Sequence, residues 1–189
     1  MRRRKSWAIA CLAFAAASIG RATFGAGPEI GKPVPSLKVV DVTGQTSPNE
    51  VDYSELRKEL PTVYVFVQAD KWDRPMARYL RVLDEAVANQ DEAVYVVAVW
   101  LTENADKTRQ YLPLAQQSLQ LSRTALTCYV ADKDGPKDWQ LDLAASLTVA
   151  VAAKGKIADV REYRSVNETL VPEVREALQK ALGKPQNRD

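Results

Sequence analysis

The sequence predicts an α/β protein, a three-layer sandwich with a mixed, mostly parallel central sheet, a late antiparallel hairpin and flanking helices. Three observations predict it. The run Val63-Tyr64-Val65-Phe66-Val67 is continuous, apolar and β-branched or aromatic, as in a strand buried on both faces. Two further apolar runs, over 93–101 and 125–131, alternate with helical patterns, which implies parallel strands joined by crossovers. Residues 147–153 and 156–163 are strand-like runs separated by Lys154-Gly155, a hairpin signal with Gly where positive φ is easiest.

Each element follows from local chemistry. Residues 27–36, rich in Gly and Pro, form an extended lead-in. The loose alternation over 37–42 is a strand, turned by Thr43-Gly44-Gln45. Asp52 or Ser54 caps a short helix over 53–60. After the strand over 63–67, a polar loop runs from Gln68 to Arg74, and Pro75 opens a helix to Ala88, its missing N–H costing nothing there. Met76, Tyr79, Leu80, Leu83 and Val87 give that helix one apolar face. Asn104 caps a helix over 105–121, which Pro113 is expected to kink or break near Leu112. Residues 132–136 form a turn-rich loop, and a short helix is expected over 138–145. Asn167 caps the last helix, with Leu170, Val174, Leu178 and Leu182 as its stripe and Gly183 and Pro185 ending it. The domain is therefore expected over 37–183, with 184–189 as a disordered tail.

The N-terminus has another character. Arg2, Arg3, Arg4 and Lys5 precede an apolar run over 7–19, and small residues follow at Gly20, Ala22, Gly25 and Ala26. This is the layout of a secretory signal peptide over 1–26, and it predicts an exported protein, periplasmic or secreted, anchored if the segment stays uncleaved. The run is short for a membrane span, which needs about 20 residues. The net charge of +2 belongs to this segment: without it the chain has 21 basic and 24 acidic residues, net −3. A nucleic-acid partner is not expected for such a domain, nor a membrane contact after cleavage.

Missing residue types exclude whole reaction classes. No histidine occurs, which removes Ser-His-Asp and Cys-His catalysis and any zinc site built on imidazole. Beyond residue 26 the only cysteine is Cys128, so no disulfide can form within that part of the chain. Cys128 lies in an apolar run and is either a buried small hydrophobe or an exposed thiol for redox work or a disulfide-linked dimer. Asp70 with Asp73, and Asp132 with Asp134, invite a calcium reading. The intervening Lys71 and Lys133 and the absence of EF-hand spacing favour ordinary loops. Asn167-Glu168-Thr169 is an N-glycosylation sequon by pattern and a helix cap by position. No metal and no cofactor are implied.

The order of elements, with the late hairpin and last helix, resembles the thioredoxin-like superfamily, in particular exported redoxins related to thiol–disulfide oxidoreductases and peroxiredoxins. The resemblance covers about residues 28–182. It rests on Gly31-Lys32-Pro33-Val34-Pro35 in the lead-in, Asp41-Val42-Thr43-Gly44 at the first strand and turn, Thr62 to Val67 in the strand feeding the active site, and Ala153-Lys154-Gly155-Lys156-Ile157 at the hairpin turn.

What the resemblance implies for activity, this sequence does not carry. The superfamily's enzymes hold Cys-x-x-Cys where strand meets helix, and a helix N-terminus there makes a thiolate. Here that place falls on Lys71-Trp72-Asp73-Arg74, followed by Pro75-Met76. The superfamily's cis-proline before the late strand is replaced by Ser146-Leu147-Thr148. Thiol–disulfide exchange at this loop is excluded, because no sulfur there can form a thiolate. The expected function is binding of a protein or peptide, its identity and the oligomeric state left open, at Asp70, Lys71, Trp72, Asp73 and Arg74 with Ser146, Leu147 and Thr148. The alternative is thiol-dependent chemistry at Cys128. Trp72 serves either as a partner anchor or as a ring folded back on the sheet end.

Overall fold

The structure, a computed structural model, describes residues 27–184. The predicted signal peptide and all of the predicted tail but Lys184 lie outside the described residues. Lys184 is held in place, its Nζ donating to Gln90 O at 2.7 Å and meeting Asp91 at 3.1 Å.

Seven strands form one sheet: β1 (Lys38–Asp41), β2 (Glu50–Asp52), β3 (Thr62–Gln68), β4 (Tyr95–Leu101), β5 (Thr124–Tyr129), β6 (Leu147–Ala153) and β7 (Lys156–Tyr163). Their order is β2-β1-β5-β4-β3-β6-β7. The parallel part is the centre, β5-β4-β3, where the strongest apolar runs lie. Antiparallel pairing extends from it to both edges, through β6 and β7 on one side and β1 and β2 on the other. The hairpin turn takes positive φ at both central residues, Lys154 at 54° and Gly155 at 71°. That turn matches the twist of the strands it joins.

Four α-helices accompany the sheet: α1 (Tyr53–Arg57), α2 (Arg74–Ala88), α3 (Ala105–Leu119) and α4 (Val171–Ala181). On one face, α2, α3 and α4 bury Met76, Leu80, Leu112 and Val174 against Val65, Ala98, Leu126 and Val149. The opposite face carries Tyr64, Phe66, Val97 and Val99 and is covered by Leu37, Tyr53 of α1 and Trp139. The lead-in is fixed along the start of β7, Gly31 N donating to Ile157 O and Ile157 N to Lys32 O.

The predicted helix over 138–145 is a single 3-10 turn at Lys137–Trp139. Trp139 sets this outcome. Its ring lies 4.7 Å from Phe66 and 5.0 Å from Tyr64, and its Nε1 donates to Ser36 O. The backbone turns left-handed at Gln140, φ 47°, directly after Trp139, and the helical turn ends there. Pro113 does not break α3, which runs unbroken from Ala105 to Leu119. The proline is exposed, so the Arg109 carbonyl it leaves without a helical donor can meet water. β2 had no signal of its own, and α1 stops at Arg57, three residues early.

Buried carboxylates pin two connections. Asp41 accepts from Gly44 N, Thr46 N, Thr46 Oγ1 and Tyr53 Oη, closing the turn after β1. A Cβ on Gly44 would lie 2.7 Å from that carboxylate, which explains the glycine. Asp84 of α2 accepts from Ser122 N, Arg123 N and Thr124 Oγ1, fixing the start of β5.

Candidate functional site

The site lies at the C-terminal ends of β3 and β4, which end in register at Gln68 and Leu101. Such ends are where open α/β sheets hold ligands. The chain leaves β3 through a 3-10 turn, Ala69–Lys71, and enters α2 through Asp73. Asp73 is the N-cap: it is extended and its side chain accepts from Met76 N at 2.9 Å. An orphan donor of the first helical turn is thereby satisfied. Where a nucleophile would exploit the helix N-terminus, this chain has a capping carboxylate, and the Met76 thioether is buried.

Lys71 is a latch rather than a free cation. Its Nζ lies 3.1 Å from Leu143 O, 3.4 Å from Ala144 O and 3.1 Å from Ala145 O. These carbonyls form the lip that leads into β6. The lip's donors are engaged too: Ala144 N and Ala145 N turn back to Asp142, and Ser146 N donates to Tyr163 O. From Ala144 to Ser146 the lip's N–H groups are therefore all spent within the chain.

The fold brings the two predicted segments together. β3 pairs with β6, placing Val67 opposite Leu147, and Gln68 N donates to Ser146 O. Yet Ser146, Leu147 and Thr148 are buried, at 9%, 2% and 3% exposure. Strand pairing that places them beside the loop also withdraws their side chains from a partner. The exposed apolar side chain on that side is Leu143. Asp70, Asp73 and Arg74 are exposed, and Lys71 and Trp72 are half-buried.

Trp72 is folded back on the end of the sheet. Its ring packs edge-on against Trp100 at 4.9 Å, and its Nε1 donates to the Tyr111 hydroxyl at 2.7 Å. The remaining face lines a cleft of about 510 Å³ together with Lys71, Trp100, Lys107, Tyr111 and Leu143. Across the cleft, Lys133 and Glu103 pair at 2.9 Å, and each holds the other charged: the Glu103 carboxyl is lowered and the Lys133 ammonium raised. Asp132 accepts from Asp134 N, the ordinary work of a turn. Asn167 Oδ1 accepts from Thr169 N, so the sequon's side chain caps the turn leading to α4. Among the described residues no three His, Cys, Asp or Glu side chains gather to hold a metal ion.

Sequence reasoning missed Trp100, Tyr111, Lys107 and Leu143. Trp100 carries a signal, since it stands at the C-terminal end of the strand predicted over 93–101. Tyr111 stands four residues beyond Lys107 on α3, but nothing in the sequence aims that helix face at the loop.

Cys128 lies elsewhere. It is fully buried, opposite Trp100 in the β4–β5 register and opposite Val40 in the β1–β5 register. Burial pushes its thiol up, with the Arg109 guanidinium pulling the other way.

No protein-family model matches the chain, and no curated protein matches it in sequence. Solved structures do. A thiol:disulfide interchange protein of the thioredoxin family from Chlorobium tepidum TLS aligns over 80% of this chain and 96% of its own, at 15% identity and TM-score 0.58. A thiol peroxidase from Chromobacterium violaceum covers 85% and 91%, at 14% identity and TM-score 0.58. A peroxiredoxin-like protein from Aquifex aeolicus covers 82% and 90%, at 15% identity and TM-score 0.56. Identities this low speak for architecture alone, and that architecture, a mixed sheet with a late hairpin and a helix springing from the end of β3, gives this chain the thioredoxin-like fold.

Proposed function

We propose that this protein is an exported thioredoxin-like domain that performs no thiol chemistry at the β3–α2 loop and instead binds a protein or peptide in the cleft beside it. One observation carries the reading: the loop that would present thiols presents Trp72, braced by Trp100 and Tyr111 over a cleft of about 510 Å³. A half-buried tryptophan in a pocket is well suited to anchoring a partner. Asp73 and Lys71 are committed to holding the loop's shape, so the site is preorganised, which lowers the entropy cost of binding. Because the lip's N–H groups from Ala144 to Ser146 are already paired, recognition falls mainly to the partner's side chains entering the cleft, with Leu143 and Tyr111 at its rim. Export rests on the basic and apolar pattern of residues 1–26.

The experiment compares the purified protein with Trp72→Ala and Leu143→Glu as bait in an extract of the exported fraction, followed by quantitative mass spectrometry. A partner enriched by the wild type and lost with both variants supports the reading. Equal recovery by all three, or reduction of insulin disulfides by the wild type, overturns it.

A further inference from the structure

α2 and α3 lie side by side on one face of the sheet, and a second hollow of about 270 Å³ opens between them. Ala77 of α2 and Leu114, Ala115 and Leu119 of α3 line it, with Trp72 and Tyr111 closing one end. Trp72 and Tyr111 also line the larger cleft, so this bonded pair is a ridge with a hollow on each side. Leu114 is 64% exposed and Tyr111 42%. A lone exposed leucine is ordinary; one beside a half-exposed tyrosine, over an apolar hollow, extends an apolar surface.

The α2 rim of this groove is basic. Arg74, Arg78 and Arg81 stand four and three residues apart on the outer face of α2, next to Ala77, which lines the groove. All three are exposed. Arg78 reaches Glu168 only at 3.9 Å, and among the described residues no carboxylate lies within 4.0 Å of the Arg74 or Arg81 guanidinium. Asp84, one of the two acidic residues of α2, is buried and spent on residues 122–124. Across the groove the one carboxylate of α3, Asp106, lies in its first turn beside Arg109, and the chain has no Asp or Glu from 107 to 131. Arg74 moreover sits in the first turn of α2, where the helix dipole is already positive. Against these three arginines α2 itself sets one exposed carboxylate, Glu85, four residues beyond Arg81, so the rim keeps a net positive charge that acidic groups from outside would complement.

We infer that the α2–α3 groove is a docking surface for an acidic amphipathic segment of a partner protein. Its apolar side chains would seat against Tyr111, Leu114 and Ala77, and its carboxylates would meet Arg74, Arg78 and Arg81. The concave floor suits inserted side chains better than a flat lipid surface. The surface stands apart from the cleft reading, sharing with it only the Trp72–Tyr111 ridge.

Fluorescence anisotropy tests it with two labelled amphipathic peptides, identical in their Leu and Phe positions, one carrying Glu and the other Lys elsewhere. The Glu peptide is expected to bind, and more weakly as salt is raised. Arg78→Glu with Arg81→Glu, and separately Leu114→Glu, should each weaken it by roughly tenfold or more, as truncating hot-spot contacts does. Leu143→Glu, on the far side of the ridge, should leave it unchanged while removing any cleft partner, which separates this inference from the cleft reading. Equal binding of the Glu and Lys peptides, no binding of either, or insensitivity to the arginine reversals overturns it. So does binding to phosphatidylserine vesicles without binding to the Glu peptide, which would make the patch a membrane surface. Circular dichroism confirms folding of each variant, and Arg78→Ala with Arg81→Ala replaces the reversal if that pair fails to fold.

Discussion

The indole N–H of Trp72 donates to the Tyr111 hydroxyl at 2.7 Å, tying the β3–α2 loop to α3 across the mouth of the cleft. The bond joins residues 39 positions apart and holds the two clefts' shared wall upright. Trp72→Phe keeps a ring against Trp100 and loses only this bond. Because Tyr111 is 42% exposed and water can take the donor's place, the expected loss is about 1 kcal/mol or less. Trp72→Ala removes the ring contact and its buried area as well, and about 2–3 kcal/mol should go. Urea denaturation of both variants measures the difference, and equal midpoints would show that the ring, and not the bond, is idle.

Lys71 bridges a comparable gap in sequence, reaching carbonyls 72 to 74 residues away. Lys71→Met keeps the aliphatic stem and removes the ammonium. The three carbonyls then turn to water, and the lip loses its tie to the loop. Hydrogen exchange should quicken at Ala144, Ala145 and Ser146 while amides of β3 and β4 keep their protection. The global cost is expected to be about 1 kcal/mol, since the ammonium is only half-buried. Unchanged exchange across the lip would mean that Asp142 and Tyr163 hold it unaided.

Pro113 leaves α3 continuous but withholds one helical hydrogen bond, the one its N–H would give to Arg109 O. Its surroundings are open, so a smaller side chain creates no cavity. Pro113→Ala should therefore raise stability by about 1–3 kcal/mol, read as a higher thermal midpoint. A lower midpoint would show that the proline's restriction of the unfolded chain outweighs its missing bond.

The parts of this fold that were legible in the sequence are those fixed by neighbours a few residues away. Asp52, Asn104 and Asn167 are helix caps by their local sequence, and each accepts a backbone N–H two or three residues on, Asn167 at the 3-10 turn Glu168–Leu170 that precedes α4 and not at α4 itself. The runs that became β3, β4 and β6 were continuous because both their faces are covered. What stayed hidden depends on partners distant in sequence. Three polar-flanked residues become β2 only because β1 turns back upon them. Trp139 ends its helix because Tyr64 and Phe66 lie beneath it. At the site, no local pattern signals that Lys71 is spent on the lip or that Tyr111 meets Trp72. Nor does one show that pairing with β3 buries Leu147 and Thr148.

Cys128 should react with a thiol reagent only after unfolding. Its side chain is fully buried, and burial raises the pKa of the thiol despite Arg109, so the reactive thiolate is doubly suppressed. Labelling in buffer is expected to be slow and to reach one equivalent per chain rapidly in denaturant, for a chain without residues 1–26. Fast labelling of the native protein would reveal opening of α3 over β5 and would revive Cys128 as a redox group.

Stability should be flat around neutral pH and collapse in alkali. No histidine is present to titrate between pH 6 and 7, so no step is expected there. Burial raises the hydroxyls of Tyr53, Tyr64 and Tyr79, and pushes Tyr163 up to about 12. In the unfolded chain these groups lose their protons near pH 10. Above that pH the folded state holds protons that the unfolded state has released, so stability falls as pH rises. Each tyrosine in this window contributes a slope of about 1.4 kcal/mol per pH unit. Four together would exhaust a typical stability of about 5–15 kcal/mol within a few pH units. Urea midpoints measured from pH 6 to pH 12 should hold level to about pH 8, fall gently as the unfolded-state thiol of Cys128 ionises, and drop steeply beyond about pH 10. A protein still folded well above pH 12, with its tyrosine absorbance already shifted, would show that these hydroxyls ionise in place and that burial does not guard them.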